Sequence, residues 1–405
     1  MDTHHIINRL GHQGDGIADG PVYAARCLPG EAVSGSLDGD RLGDIRIVTP
    51  SSDRVKPPCR HYRTCGGCQL QHASDGFVSD WKRDVVRTAL AAQGLDADIG
   101  PVQVSPPGSR RRAVLAVRRT KKGVLVGFHG RASGSITEIT DCRLLEPALM
   151  VAIPAVRDLA LIGASRKGEL AVTVTVSADG PDVAATGGKP LDDPLRAALG
   201  QAAARLGLAR LAWEGEVVAM QAPPAQRFGA ALVVPPPGAF LQATPQGEAA
   251  LWTAVRAGVG TAARVVDLFA GCGTFTLPLA ATAEVHGVEA DAAMLSALDA
   301  GWRRAPGLKR VTIEVRDLFR NPLLPDELAR FDAAVLDPPR AGAEAQVAQL
   351  ARARVPVVAY VSCFPISFAR DARRLVDAGY VMGAVQVVDQ FRWSAHVELA
   401  ATFTL

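Results

Sequence analysis

Three cysteines crowd the stretch PPCRHYRTCGGCQLQH, where Cys59, Cys65 and Cys68 follow a C-x5-C-x2-C spacing. Packing alone has little use for three thiols so close together, whereas a loop that turns them to one side makes a ligand set. The partner expected to complete it is Cys142, in ITDCRLL. Four thiolates suit either tetrahedral zinc or an iron–sulfur cluster. Zinc sites more often use two close pairs, so three neighbours and one remote cysteine favour a 4Fe–4S cluster. Arg60, His61, Tyr62 and Arg63 sit inside the motif. They either line a path for RNA or form a solvated face.

A second cysteine has a different setting. Cys363 closes the apolar run VPVVAYVSCFP, where a buried strand gives way to a proline turn. It is either a small apolar residue at a strand end or a nucleophile at the lip of a pocket. Cysteine suits the second task because some thiolate is available near neutral pH. Cys27 and Cys272 read as filler.

A third site is marked by DLFAGCGTFTLPLA, a strand, a Gly271-Cys272-Gly273 turn and a helix start. Glycines there let backbone approach a ligand. Glu289 ends the next strand in VHGVEAD, at a spacing where a carboxylate accepts both hydroxyls of a ribose. The third glycine of a dinucleotide fingerprint is missing, which favours S-adenosylmethionine, a ligand with no pyrophosphate. Asp317 in VRDLF is placed to bond an adenine amino group. Asp337, stiffened by Pro338 and Pro339 in VLDPPRAG, reads either as an acidic turn residue or as a carboxylate near the methionine or the target base.

These residues need elements to hold them. The chain of 405 residues, 48% hydrophobic and 21% charged, has length for two or three globular domains. Residues 1–55 read as a small β-barrel, with IINRL and VYAARCL between glycine-rich turns. Residues 56–237 read as a central α+β domain holding the cysteine knot. Within it SDWKRDVVRTALAAQGL is helical, with Trp81, Val85, Ala89 and Leu90 as the apolar stripe and Gly94 at its end. SADGPDVAATGGKPLDDP reads as a polar connection. Residues 238–405 alternate strand and helix, which calls for a Rossmann-like parallel sheet with helices on both faces. Ligands bind such sheets at the carboxyl ends of the strands.

A balance of 44 basic against 41 acidic residues leaves a net charge of +3, too small to prove an anionic partner. The start shows no signal-peptide pattern, and no run of about 18 apolar residues appears. Seven cysteines, an odd count, argue against a disulfide framework. A cytoplasmic protein is expected.

In their order, these motifs resemble the bacterial 5-methyluridine RNA methyltransferases, in the iron–sulfur branch acting on 23S rRNA. GDGIADG and LPGEAV look like a TRAM domain, an RNA-binding barrel of OB type. CRHYRTCGGCQLQH with ITDC looks like the cluster pattern. FLQATPQ, DLFAGCGTFTLPLA, VLDPPRAG, VSCFPISFARD and HVELAATF follow in the family's order. The resemblance implies a class I methyltransferase domain, with Cys363 as nucleophile and Glu398 as base. It places Gln242, Phe269, Thr274, Glu289, Asp317 and Asp337 on cofactor contacts, and Cys59, Cys65, Cys68 and Cys142 on the cluster. Two residues depart from the pattern: Phe364 follows the nucleophile where asparagine is common, and Thr274 also stands where asparagine is common.

The implied chemistry accounts for the residue types. A thiolate adding to carbon 6 of uracil makes carbon 5 electron-rich, carbon 5 takes the methyl group, and a base then removes its proton so that the thiol leaves. The target base must be flipped out of RNA at a cost of a few kcal/mol. His396 either tunes this pair or is a polar rung of an edge strand. Alternatives are methylation of tRNA, a non-catalytic iron–sulfur RNA-binding protein, and a nicotinamide-dependent oxidoreductase. Retention of Cys363 and Glu398 speaks against the second of these, and the missing glycine against the third. A monomer is the expected state.

Overall fold

The computed structural model describes residues 2–405. Five short strands between Asp2 and Thr49 close into a barrel. Its interior is filled by Ile7, Ala18, Val22, Ala24, Cys27, Val33 and Leu42. Cys27 is therefore packing, as expected, and burial pushes its thiol up to about 12.

The cysteine loop follows, and then the helix Asp75–Ala91. Ser74 caps its start by accepting the Phe77 N–H. Gly94 ends it in the left-handed conformation, with φ of 66°, and lets the Leu95 N–H return to the Leu90 carbonyl at 3.0 Å. This helix lies within the segment 56–237 but does not belong to the central core. Val86, Leu90, Leu95 and Ile99 pack with the C-terminal sheet. Just beyond them Gln103–Val104 adds a strand to that sheet, in parallel register with Val388 and Asp389. The continuous central domain of the sequence reading is thus divided, because the helix's apolar stripe finds its cover on the far unit.

The rest of the central unit is a seven-stranded, mainly antiparallel sheet backed by the helices Ile153–Gly163 and Asp193–Arg205. Here the stretch 177–194 departs from expectation. It contains the strand Gly180–Thr186, paired in full register with Leu170–Ser177. Val183 and Ala185 are its inward residues, and two apolar side chains among polar neighbours gave too weak an alternation to find.

The C-terminal unit carries five parallel strands: Val311–Val315, Glu284–Glu289, Arg264–Leu268, Ala333–Leu336 and Val357–Ser362, in that spatial order. The strand Glu398–Thr404 then inserts antiparallel between Val357–Ser362 and Gln386–Asp389. The sheet is therefore mixed rather than wholly parallel, and the HVELAATF strand is interior, not an edge. One face is covered by the helices Asp75–Ala91, Glu344–Ala353 and Pro365–Asp377, the other by Pro245–Val259 and Ala292–Arg304. No helix among the described residues is long and apolar enough to cross a membrane.

Candidate active site and thiol cage

Parallel strands deliver their last residues to one rim. Phe269, Glu289, Asp317, Asp337 and Cys363 each end or follow a strand of the C-terminal sheet. Glu398 reaches the same rim from the opposite direction, as the first residue of its antiparallel strand. The ladder pairs Ser362 with Leu399, so one further step brings Cys363 abreast of Glu398. Register alone assembles the two residues from positions far apart in the chain.

Cys363 is half-buried and opens on a cavity of about 530 Å³. Burial, reinforced by Glu398 and Asp337, pushes its thiol up to about 12, against the pull of Arg340 and a backbone hydrogen bond. Arg340 also lies 4.8 Å over the ring of Phe364. Glu398 is 3% exposed, and burial lifts its carboxyl to about 7. Asp337 is raised well above its ordinary range by enclosure and then by Glu398 and Asp267. It keeps partial surface exposure at the rim, yet protein surrounds its carboxyl. Two carboxyls this near share the cost of ionising.

A chain of amides links the pair. Gln390 donates from Nε2 to Glu398 Oε2 at 2.8 Å and to Gln242 Oε1 at 2.6 Å. Gln242 in turn donates to Asp337 Oδ2 at 2.9 Å. Both glutamines are 1% exposed. Gln242 was expected here and Gln390 was not. Its only sequence signal is a polar residue that ends the buried run QVVDQ beside HVE.

The glycine turn lies next to this network. Phe269 holds a left-handed φ of 65°, which costs about 1–2 kcal/mol for a side-chain-bearing residue. Its ring stands 5.4 Å from that of Phe319, another aromatic absent from the sequence reading. Glu289 Oε2 accepts the Gly271 N–H at 3.1 Å, while Oε1 takes the N–H groups of Ala290 and Asp291. Asp317 Oδ1 accepts from the Phe319 N–H at 3.0 Å. Thr274 is half-buried on the turn. Turn, carboxylates and rings gather at the strand ends, and a Cβ at Gly271 would meet open space there, the slot where such sheets take ligands.

The same 530 Å³ cavity is lined on its other side by Cys59, Cys65, Cys68 and Cys142, so the structure brings all four together. Among the described residues no three His, Cys, Asp or Glu side chains converge as they would on a single ion. The four thiols therefore line one cavity without the convergence of a metal-holding group, and the expected cluster is not shown. The Gly67 N–H points at Cys65 Sγ, 3.4 Å away, and the enclosed guanidinium of Arg110 feels Cys68 and Cys142. Burial and the neighbouring thiols push Cys68 up to about 12, and burial also raises Cys65 and Cys142. Gly66 is needed at its position because a Cβ would lie 2.8 Å from the His129 carbonyl.

The two sides of the cavity are tied by backbone. The N–H groups of Gln69 and Leu70 both donate to the Trp393 carbonyl, at 2.8 and 2.9 Å. His396 lies in the loop ahead of the strand Glu398–Thr404, on the cavity wall, so the edge-strand reading is corrected. The cavity thus holds Cys363 and the four clustered thiols on its walls, while Glu398 stands abreast of Cys363 in the ladder.

Known proteins resemble this chain in sequence and fold. A family model described as tRNA (Uracil-5-)-methyltransferase matches residues 308–404. An uncharacterized RNA methyltransferase of Rhizobium meliloti is 45% identical over 98% of each chain. A 23S rRNA (uracil(1939)-C(5))-methyltransferase of Halomonas elongata is 36% identical over 97% of this chain and 87% of its own. A solved structure, the tRNA (uracil-54, C5)-methyltransferase of Pyrococcus abyssi with S-adenosyl-L-homocysteine, aligns over 99% of both chains with a TM-score of 0.75 at 22% identity.

Proposed function

The chain belongs to the RNA (uracil-5-)-methyltransferases, S-adenosylmethionine-dependent enzymes, and from that premise we propose that it methylates carbon 5 of a uridine in 23S rRNA through a covalent adduct on Cys363. The observation that carries this reading is the strand register that stands Cys363 beside the buried carboxyl of Glu398. The 36% identity to the Halomonas elongata enzyme favours the ribosomal target.

S-adenosylmethionine, when bound, supplies an electrophilic methyl group on a sulfonium. Gln242, Phe269, Thr274, Glu289, Asp317 and Asp337 are the residues that would hold it. The cavity wall receives the flipped uracil, and burial there excludes water from it. Cys363 gives its thiol proton to solvent, an ionisation that Arg340 favours, and its Sγ bonds to carbon 6 of uracil. The electron pair displaced from the carbon 5–carbon 6 double bond makes carbon 5 the nucleophile. Carbon 5 takes the methyl group as the sulfonium S–C bond breaks, its electron pair staying on the sulfur of S-adenosylhomocysteine, and a Glu398 oxygen then removes the remaining carbon 5 proton. The double bond re-forms and Cys363 leaves. A carboxyl lifted to about 7 is matched to that last proton transfer near neutral pH.

Cys59, Cys65, Cys68 and Cys142 would hold a 4Fe–4S cluster. Methyl transfer needs no electron from it. Its place beside the catalytic loop suits a role in shaping the cavity and the grip on RNA.

Two variants test the mechanism. Cys363→Ser should retain less than about a thousandth of wild-type methyl transfer to RNA from a strain lacking the enzyme. Glu398→Gln should accumulate a protein–RNA adduct, already methylated, that survives denaturant. Undiminished turnover by Cys363→Ser would overturn the covalent route. Mapping the labelled nucleotide tests the target, and incorporation confined to tRNA would overturn the ribosomal assignment.

A further inference from the structure

We propose that Gln390 is a positioning residue that sets both the base and the methyl-donor side of the site through a single amide. The inference rests on Glu398 acting as the base. A backbone N–H can only donate. The Ala243 N–H lies 2.8 Å from Gln390 Oε1, and a backbone N–H fixes which end of the amide is oxygen. Nε2 must then face the opposite way, where its two hydrogens meet Glu398 Oε2 and Gln242 Oε1. With Gln242 Oε1 so occupied, the Gln242 Nε2 is left to donate to Asp337. One backbone donor thus dictates the orientation of two side-chain amides and delivers a hydrogen bond to each carboxyl.

The loop carrying Gln390 is itself held. Asp389, its neighbour, accepts from Lys82 Nζ at 2.6 Å and from the Phe391 N–H at 3.1 Å, and its carbonyl takes the Ser105 N–H at 3.0 Å. Lys82 is 0% and Asp389 2% exposed. The amide therefore cannot swing away without opening a buried ion pair. An N–H aimed at Glu398 favours its charged form and offsets part of the burial that disfavours it. Other charges facing Glu398 are Asp337 and, across the ladder, Cys363.

The test compares wild type with Gln390→Met, which keeps length and loses both donors, and Gln390→Glu, which keeps an acceptor for Ala243. Methyl transfer is measured across pH with saturating RNA, and S-adenosylmethionine binding is measured separately by calorimetry. Without the donor, the acid limb should move up by about one pH unit, giving a five- to tenfold loss below neutral pH that closes in alkali. Gln390→Glu should move it further. Gln390→Met should also weaken S-adenosylmethionine binding, because Gln242 loses its anchor. A purely structural role would scale activity equally at every pH, and profiles of both variants that superimpose on wild type after scaling would overturn the inference. If Gln390→Met melts too low to assay, the shift in Gln390→Glu decides the matter. Adduct accumulation by Glu398→Gln is scored alongside. Its presence with unmoved profiles sinks only the role of Gln390, whereas its absence sinks the reading of Glu398 on which that role depends.

Discussion

At the scale of single residues, the buried carboxyl of Glu398 sets function against stability. It binds its proton more tightly folded than unfolded. Its contribution to stability is therefore complete below its ordinary value of 4.5 and is lost as pH rises through about 7. Glu398→Gln removes the ionising group while keeping an oxygen for Gln390 to donate to. We expect its melting temperature to exceed wild type above neutral pH, with the advantage vanishing in mild acid. Melting curves at both ends of that range check this. Cys363 at its strand end was legible only as filler or nucleophile, and the family resemblance supplied its role, as it did for Glu398. Gln390 was not legible. Glutamine is commonplace, and what distinguishes this one is a backbone donor from residue 243 that only the folded chain supplies.

At the scale of elements, the glycine turn after Arg264–Leu268 separates packing from ligand access. A Cβ at Gly273, where φ is 93°, would sit 2.9 Å from Leu298 Cγ and 3.0 Å from Leu277. Gly273→Ala should cost about 1–3 kcal/mol, read as a lowered melting temperature. At Gly271, with φ of 55°, an added Cβ meets no atom within 4 Å. Gly271→Ala should cost only about 1–2 kcal/mol, but should weaken S-adenosylmethionine binding by placing a methyl group in the open slot. The alternation of strand and helix after residue 245 was plain in the sequence because each buried parallel strand is continuously apolar. Two things were not plain. Gly180–Thr186 hides among glycines and aspartates, and the antiparallel insertion of Glu398–Thr404 depends on pairing with a strand 37 to 47 positions earlier, which local periodicity does not encode.

At the scale of the whole molecule, the catalytic rim is completed by residues from far up the chain. The cysteine loop grips the Trp393 carbonyl, and Lys82 meets Asp389 across a sequence separation of 307. If the proposed cluster is held, the purified protein should be brown and carry iron and sulfide, Cys65→Ser should lose them, and bound zinc in the wild type would refute the cluster. Lys82→Met should destabilise by about 3–5 kcal/mol by stranding a buried carboxylate, whereas Lys82→Met with Asp389→Leu should recover most of that loss. Denaturant titration distinguishes the two. The division of the chain into barrel, central and C-terminal segments followed composition and turn residues, but contacts like these leave no mark on composition. They bear on how such a chain can be recombined. A graft that joined this catalytic half to a foreign RNA-gripping front, cut at the proline hinge near 235, would leave behind the lysine that seats Asp389 and the strand that finishes the sheet. The transplantable unit is discontinuous, and any working chimera must carry Asp75–Val104 along with the residues after the hinge.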